Sequence, residues 1–128
     1  MIIHYLTVDD AIAFHADQIE RFGGADGIRD EGALASAMFR PQSGYYDDRI
    51  SEAAALWESL AQNHPFIDGN KRVSLTVTGV FLAINAIRIT AEDDKVWRFM
   101  LGLFETGEFT YANLDAWLRA NTAPVPTA

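Results

Sequence analysis

The sequence predicts an all-α protein, a compact helical bundle whose central helix starts just after a loop at residues 64–72. Three observations carry this reading. Apolar residues recur at helical spacing in successive stretches. Residues that cap helix starts, Thr7, Asp30, Ser51 and Thr110, stand in front of four of them. After residue 70, Val73, Val77, Val80, Phe81 and Ile84 fall at i, i+4, i+7, i+8 and i+11, a broad stripe that puts this helix mid-core. A chain of 128 residues fits one domain, 1–128, that buries a core without metal or disulfide help.

The elements follow in order. Thr7 and Asp10 form a capping box with Asp in the usual Glu place, and Ile12, His15, Ile19 and Phe22 keep helical spacing until Gly23-Gly24 stops the helix near Phe22. Asp30 caps an alanine-rich helix from Glu31 to about Arg40, closed by Pro41. Residues 41–50 read as a polar loop with two tyrosines, and Ser51 caps a helix over 52–63. Proline and glycine make 64–69 an ordered loop, and the central helix runs from Asn70. Ile87–Thr90 suits a short extended piece. Thr90 or Ala91 opens a helix with Glu92, Asp93 and Asp94 in its first turn, and Val96, Trp97, Met100, Leu101 and Phe104 make its buried face. Gly107 ends that helix, Thr110 caps a last one through Leu118, and the tail from Thr122 frays.

Composition excludes several function classes. The apolar run Val73–Ile89 is broken by Ser74, Thr76, Thr78, Asn85 and Arg88, which rules out a membrane span. A net charge of −8 argues against direct nucleic-acid binding, which needs a basic stripe. The absence of cysteine and of a signal-like N-terminus fits a cytoplasmic protein.

The chemistry concentrates in His64-Pro65-Phe66-Ile67-Asp68-Gly69-Asn70-Lys71-Arg72. A histidine titrates near ~6.5, so His64 suits a general base that takes a proton from an attacking hydroxyl. Asp68 suits Mg²⁺, which takes one or two carboxylates and fills its octahedron with phosphate and water. Gly69 and Asn70 open the long helix, where free N–H groups and the positive dipole end cradle an anion. Lys71 and Arg72 add cations where the dipole disfavours them, which calls for a compensating anion. Phe66 anchors the loop in the core. Taken singly, each residue has an ordinary explanation: a loop histidine, an Asp-Gly turn, an Asn cap. The joint spacing is what carries the functional reading.

This segment resembles the signature of the Fic family, His-Pro-Phe-x-Asp/Glu-Gly-Asn-Gly-Arg-x-x-Arg. The Doc (death-on-curing) branch is resembled further in Phe22-Gly23-Gly24, Gly27-Ile28-Arg29-Asp30, Arg40-Pro41-Gln42 and the Asn-containing run before Ile87. The resemblance implies a Fic/Doc helical bundle with His64 as catalytic base, Asp68 as magnesium ligand, and Gly69, Asn70 and Arg72 at phosphate-binding positions. Two positions depart from the signature: Lys71 replaces the second glycine and Leu75 the final arginine. That arginine helps fix the polyphosphate for attack at the α-phosphate in nucleotidylating members, so its loss argues against AMP transfer. Doc-type proteins share both substitutions and are similar to kinases that phosphorylate a threonine of elongation factor Tu with ATP and Mg²⁺. Lys71 would then neutralise charge developing on the γ-phosphoryl group. Protein adenylylation and a catalytically idle nucleotide- or antitoxin-docking module stand as alternatives.

Some Fic proteins silence themselves through Ser/Thr-x-x-x-Glu-Gly/Asn. Here the one Glu followed by Gly or Asn is Glu31, and Gly27 stands four residues before it. The resemblance therefore implies a separate Phd-like antitoxin of a type II toxin–antitoxin system, whose C-terminal segment folds into a groove on binding. Tyr45 and Tyr46 suit either a target-aligning flap or a surface turn. His4 and His15 lack metal-ligand spacing and receive no role, and Trp57, Trp97 and Trp117 are read as core.

Overall fold

A computed structural model describes residues 2–126. The elements are α1 (Val8–Phe22), α2 (Glu31–Phe39), a 3₁₀ turn (Arg40–Gln42), α3 (Arg49–Gln62), α4 (Asn70–Ile84), β1 (Ile87–Ile89), α5 (Asp93–Glu105), α6 (Tyr111–Ala120) and β2 (Thr122–Pro124). The molecule is a helical bundle, as its sequence predicts, with one two-stranded antiparallel ribbon. No helix among the described residues is long and apolar enough to cross a membrane.

Helices α3 and α4 pack against each other at the centre; α2 and α6 flank α3, and α1 lies on α4. In α3, ten residues are buried, among them Ala53, Ala54, Ala55 and Ala61, so the helix is enclosed on nearly all sides. Small side chains there let a neighbouring backbone approach closely. Trp57 is wholly buried and serves as the hub for the C-terminal half: its ring meets Phe99, Phe109 and Trp117 edge-on at 6.0–6.2 Å, and its Nε1–H donates to Met100 Sδ at 3.4 Å. Such edge-to-face pairs each add about 0.5–1.5 kcal/mol to the burial of the ring.

Local signals placed most helix starts correctly. Thr7 and Asp10 close a reciprocal capping box, Asp30 accepts from Ala33 N, and Thr110 accepts from Asn113 N. Four expectations need correction. The third helix starts at Arg49, capped by Asp48 rather than Ser51; Asp48 accepts from Ser51 N and is itself gripped by Arg119 at 3.0 Å, a partner 71 residues away. Residues 40–42 continue α2 as a 3₁₀ turn, because Pro41, its second residue, is tolerated within a first turn, where its missing N–H is not needed. The fifth helix starts at Asp93, with Glu92 as a cap that makes no side-chain bond. Instead of fraying from Thr122, residues 122–124 pair with β1 in the register Ile87↔Pro124, Arg88↔Ala123, Ile89↔Thr122, while residues 127–128 lie outside the described residues.

The stripe of α4 is also rotated from the expected one. Val73, Val77 and Phe81 are buried, but so are Ser74, Thr78 and Leu82, while Ile84 is 41% exposed. Small hydroxyl residues can enter a helix interface when the side chain turns back on its own backbone, as Ser74 Oγ does by donating to Lys71 O at 2.7 Å. Thr78 Oγ1 is buried with no hydrogen-bond partner among the described residues. Thr78→Val should therefore stabilise the fold by about 1 kcal/mol, since it removes an unpaired hydroxyl at constant volume. Urea denaturation at neutral pH checks this; a midpoint below that of the wild type would contradict it.

The N-terminal segment is fastened over α3 and α4. The Asn85 amide bonds both the N–H and the C=O of His4, and the Tyr5 hydroxyl donates to the buried Glu52 carboxylate. Burial, then the bond to Glu52 and the repulsion of its charge, pushes the Tyr5 phenol up to about 12. A raised folded-state value means stability that is fully present below the ordinary value of about 10 and lost as pH rises through about 12. In urea titrations stepped across pH 9–12.5, the wild type should lose its advantage over Tyr5→Phe through that window. A constant difference would show that the phenol is not coupled to folding.

Candidate active site

The segment between α3 and α4 is built around two side chains that point inward. Phe66 is 1% exposed and stacks on the buried His15 ring of α1, with centroids 3.9 Å apart and planes 6° from parallel. Asn70, 8% exposed, closes the loop on itself: its Oδ1 accepts from Phe66 N and its Nδ2 donates to Phe66 O, both at 2.9 Å. Gly69 turns the chain into α4 with φ 77°, the left-handed conformation that glycine adopts without cost. The first i→i−4 bond of the helix is Val73 N to Gly69 O, which leaves the N–H groups of Asn70, Lys71 and Arg72 outside the ladder.

A second loop, residues 23–30, wraps the first. Ile67 N donates to Gly27 O, and the N–H groups of Arg29 and Asp30 donate to Pro65 O. The Arg29 guanidinium donates to the carbonyls of Asn63 and His64 at the C-terminal end of α3, where a cation is favoured. His64 itself has φ 47°. A non-glycine residue in that region costs on the order of 1 kcal/mol and persists because its surroundings hold it. The Asp68 carboxylate is held at both oxygens by backbone N–H groups, Ala25 at 3.1 Å and Gly69 at 2.8 Å. Gly24 makes this approach possible, since a Cβ there would stand 2.7 Å from Asp68 Oδ2.

His64, Asp68, Gly69, Asn70, Lys71 and Arg72, the residues that the sequence singles out, all line one pocket of about 400 Å³ together with Ile67 and Trp97. Among the described residues, neither Lys71 nor Arg72 has a carboxylate within ion-pair distance. They rest on aromatic faces instead. Lys71 Nζ lies 4.7 Å from the Phe104 ring centre, and the Arg72 guanidinium sits 4.4 Å from that of Phe22 and 5.7 Å from that of Trp97. The pocket thus pairs a histidine with two uncompensated cations and a set of free N–H groups, a combination suited to phosphate esters.

Sequence reasoning left several of these functions unassigned. His15 is buried against the loop, and its Nε2 lies 2.7 Å from the Asp68 carbonyl oxygen. Trp97, whose apolar helical face predicts a core residue, is half-buried and lines the pocket. The Asn70 side chain is spent on Phe66, so a contribution to anion binding falls to its main-chain N–H. Of the two loop tyrosines, Tyr46 is tied to Arg40 Nε at 2.7 Å and Tyr45 is 87% exposed. A neighbouring apolar groove of about 570 Å³, between α1, α4 and the start of α5, shares Arg72 and Trp97 with the pocket.

A helical bundle that presents a His-Pro-Phe loop and an anion-binding helix start defines a class of protein, and comparison with known sequences agrees. The profile of the Fic/DOC family matches residues 5–82, and the chain belongs to that family. It is similar to a protein named Toxin Doc from Mycolicibacterium smegmatis, 42% identical over 78 residues, a span of 57% of this chain and 60% of that relative. It is also similar to a protein named Protein kinase doc from Escherichia phage P1, 28% identical over 91 residues, covering 68% of this chain and 72% of the relative. The matched span is thus less than two thirds of the mycolicibacterial protein's length.

The loop's closure makes a direct prediction. Asn70→Ala leaves the buried N–H and C=O of Phe66 unpaired, at about 1–3 kcal/mol each, so equilibrium unfolding should show a loss of about 2–4 kcal/mol. Asn70→Asp keeps the acceptor and drops the donor, and should fall between. A stability for Asn70→Ala equal to that of the wild type would remove the closure from the account of the site.

Proposed function

We propose that this chain is the toxin of a type II toxin–antitoxin system and acts in the cytoplasm as a protein kinase of the Fic/Doc type. The reaction is transfer of the γ-phosphoryl group of ATP to a hydroxyl of a protein target, with a threonine of elongation factor Tu as the substrate. One observation carries the reading: His64 shares a pocket with the open N-terminus of α4 and with two cations that have no carboxylate partner among the described residues. The printed name of the phage relative adds weight for kinase chemistry, and that of the mycolicibacterial relative for a toxin.

In this reading the target hydroxyl meets His64, whose imidazole accepts the proton as the new O–P bond forms. The bond from the γ-phosphorus to the bridging oxygen breaks, and ADP leaves with the electron pair. Lys71 and Arg72 leave their aromatic seats or reach from them to meet the phosphates, and the N–H groups of Asn70, Lys71 and Arg72 add dipoles that are already aimed. The donor set fits Mg²⁺. Asp68 offers one carboxylate, each oxygen of which keeps a lone pair beyond its backbone bond, and phosphate and water supply the remaining ligands. When bound there, Mg²⁺ would neutralise phosphate charge. One turn further along α4, Leu75 faces the apolar groove and brings no cation to an α-phosphate, which favours γ-transfer over nucleotidylation.

The groove shared by Phe22, Leu75, Val80, Ile89, Val96 and Trp97 suits the folding segment of a Phd-like antitoxin. Its position beside Arg72 would let the partner block nucleotide entry.

Incubation with bacterial lysate, Mg²⁺ and either γ- or α-labelled ATP tests the proposal. The expected outcome is one γ-labelled band at the size of elongation factor Tu that His64→Ala abolishes. Label from the α-position would move the protein to adenylylation, and absence of both labels would leave a docking module.

A further inference from the structure

The His15 ring is 2% exposed and spans three consecutive features of the motif loop. It stacks on Phe66, its Nε2 lies 2.7 Å from Asp68 O, and it packs under the turn at Gly69, where a Cβ would stand 3.6 Å from Nε2. A carbonyl oxygen only accepts, so Nε2 carries the hydrogen. Nδ1 is 3.6 Å from Asp26 Oδ1, beyond hydrogen-bond range, which leaves Asp68 O as the ring's one firm polar partner among the described residues.

The bonded carbonyl belongs to the peptide group between Asp68 and Gly69. Its other end, Gly69 N–H, donates to Asp68 Oδ1. The peptide plane gripped by His15 at oxygen therefore aims the carboxylate by its nitrogen. We propose that His15 is a positioning residue: it fixes the Asp68–Gly69 peptide, and through it the direction in which the Asp68 carboxylate meets a bound cation. A histidine is suited to this place because it offers a flat ring to Phe66 and a hydrogen-bond donor at its edge, which phenylalanine and leucine lack. The inference rests on the reading of the pocket as a metal–nucleotide site.

The test uses the full chain and Mn²⁺ as a paramagnetic probe, titrated with the β,γ-imido analogue of ATP present. His15→Phe keeps the stacked ring and removes the donor; His15→Gln returns a donor near the Nε2 position. Removing a partner that orients a metal ligand typically weakens the metal by about 10- to 100-fold. His15→Phe should show a loss of that size and His15→Gln a partial recovery, while both melt cooperatively. A purely structural role would lower the melting temperature of both and leave Mn²⁺ affinity unchanged, which would overturn the inference. No Mn²⁺ binding by the wild type would overturn the reading of the site and this role with it. Should His15→Phe fail to fold, long-range ¹H–¹⁵N spectra of the wild type decide: an Nε2–H tautomer is expected, and an Nδ1–H tautomer would refute the proposal.

Discussion

Two hydrogen bonds between the Asn70 side chain and the backbone of Phe66 set the geometry on which the rest of this site depends. They close a five-residue ring that would otherwise bury an N–H and a C=O without partners, and they do so from the first residue of α4. The loop is thereby locked to the helix it precedes. Phe66 can then sit wholly within the core, the His15 ring can stack on it, and the turn at Gly69 delivers the free N–H groups of α4 to the pocket floor. A buried amide is tolerable here only because both of its polar ends are satisfied.

The electrostatic logic follows from that placement. Two cations at a helix N-terminus are repelled by the dipole at about 0.3–1 kcal/mol each. The chain has 18 acidic residues, yet the cations of the motif lie on the rings of Phe104, Phe22 and Trp97 rather than on carboxylates. A cation over an exposed ring gains about 0.5–1 kcal/mol, whereas a charge-assisted bond to an anion gains about 1.5–3 kcal/mol. By these magnitudes the aromatic seat holds the side chains in place but would yield to an anion. A carboxylate partner would compete with it.

What the sequence shows and what it hides divide along the range of the interactions. Thr7, Asp30 and Thr110 were legible as caps because each acts on an N–H three residues away. The six candidate residues that line one pocket are grouped legibly because they lie within nine positions of one another. Asp48 and Ser51 are equally good caps locally, and both are met from the far end of the chain by Arg119, which bonds the Asp48 carboxylate and the Ser51 hydroxyl. The tail resembles a frayed end until β1 is brought beside it. His15 lies 53 residues before its partner Asp68, and nothing in its own helix marks it, since a buried histidine and a surface one fit the same periodic position. Trp97 shows the reverse: its helical position marks a core residue, and it does pack against the core, but it also lines the pocket.

The family match ends at residue 82, and this boundary cuts through the site. His64, Asp68, the start of α4 and both cations lie inside it, as does Phe22, one of the two rings under Arg72; Trp97, the other, and Phe104, on which Lys71 rests, lie on α5 beyond it. A side chain that must move to meet a phosphate responds to the energy of its resting place as much as to that of its destination. The motif thus provides the groups that would act on the nucleotide. The helix α5, outside the matched segment, supplies the ring under Lys71 and one of the two under Arg72, so the energy of their resting places is set partly by residues beyond the motif's own segment.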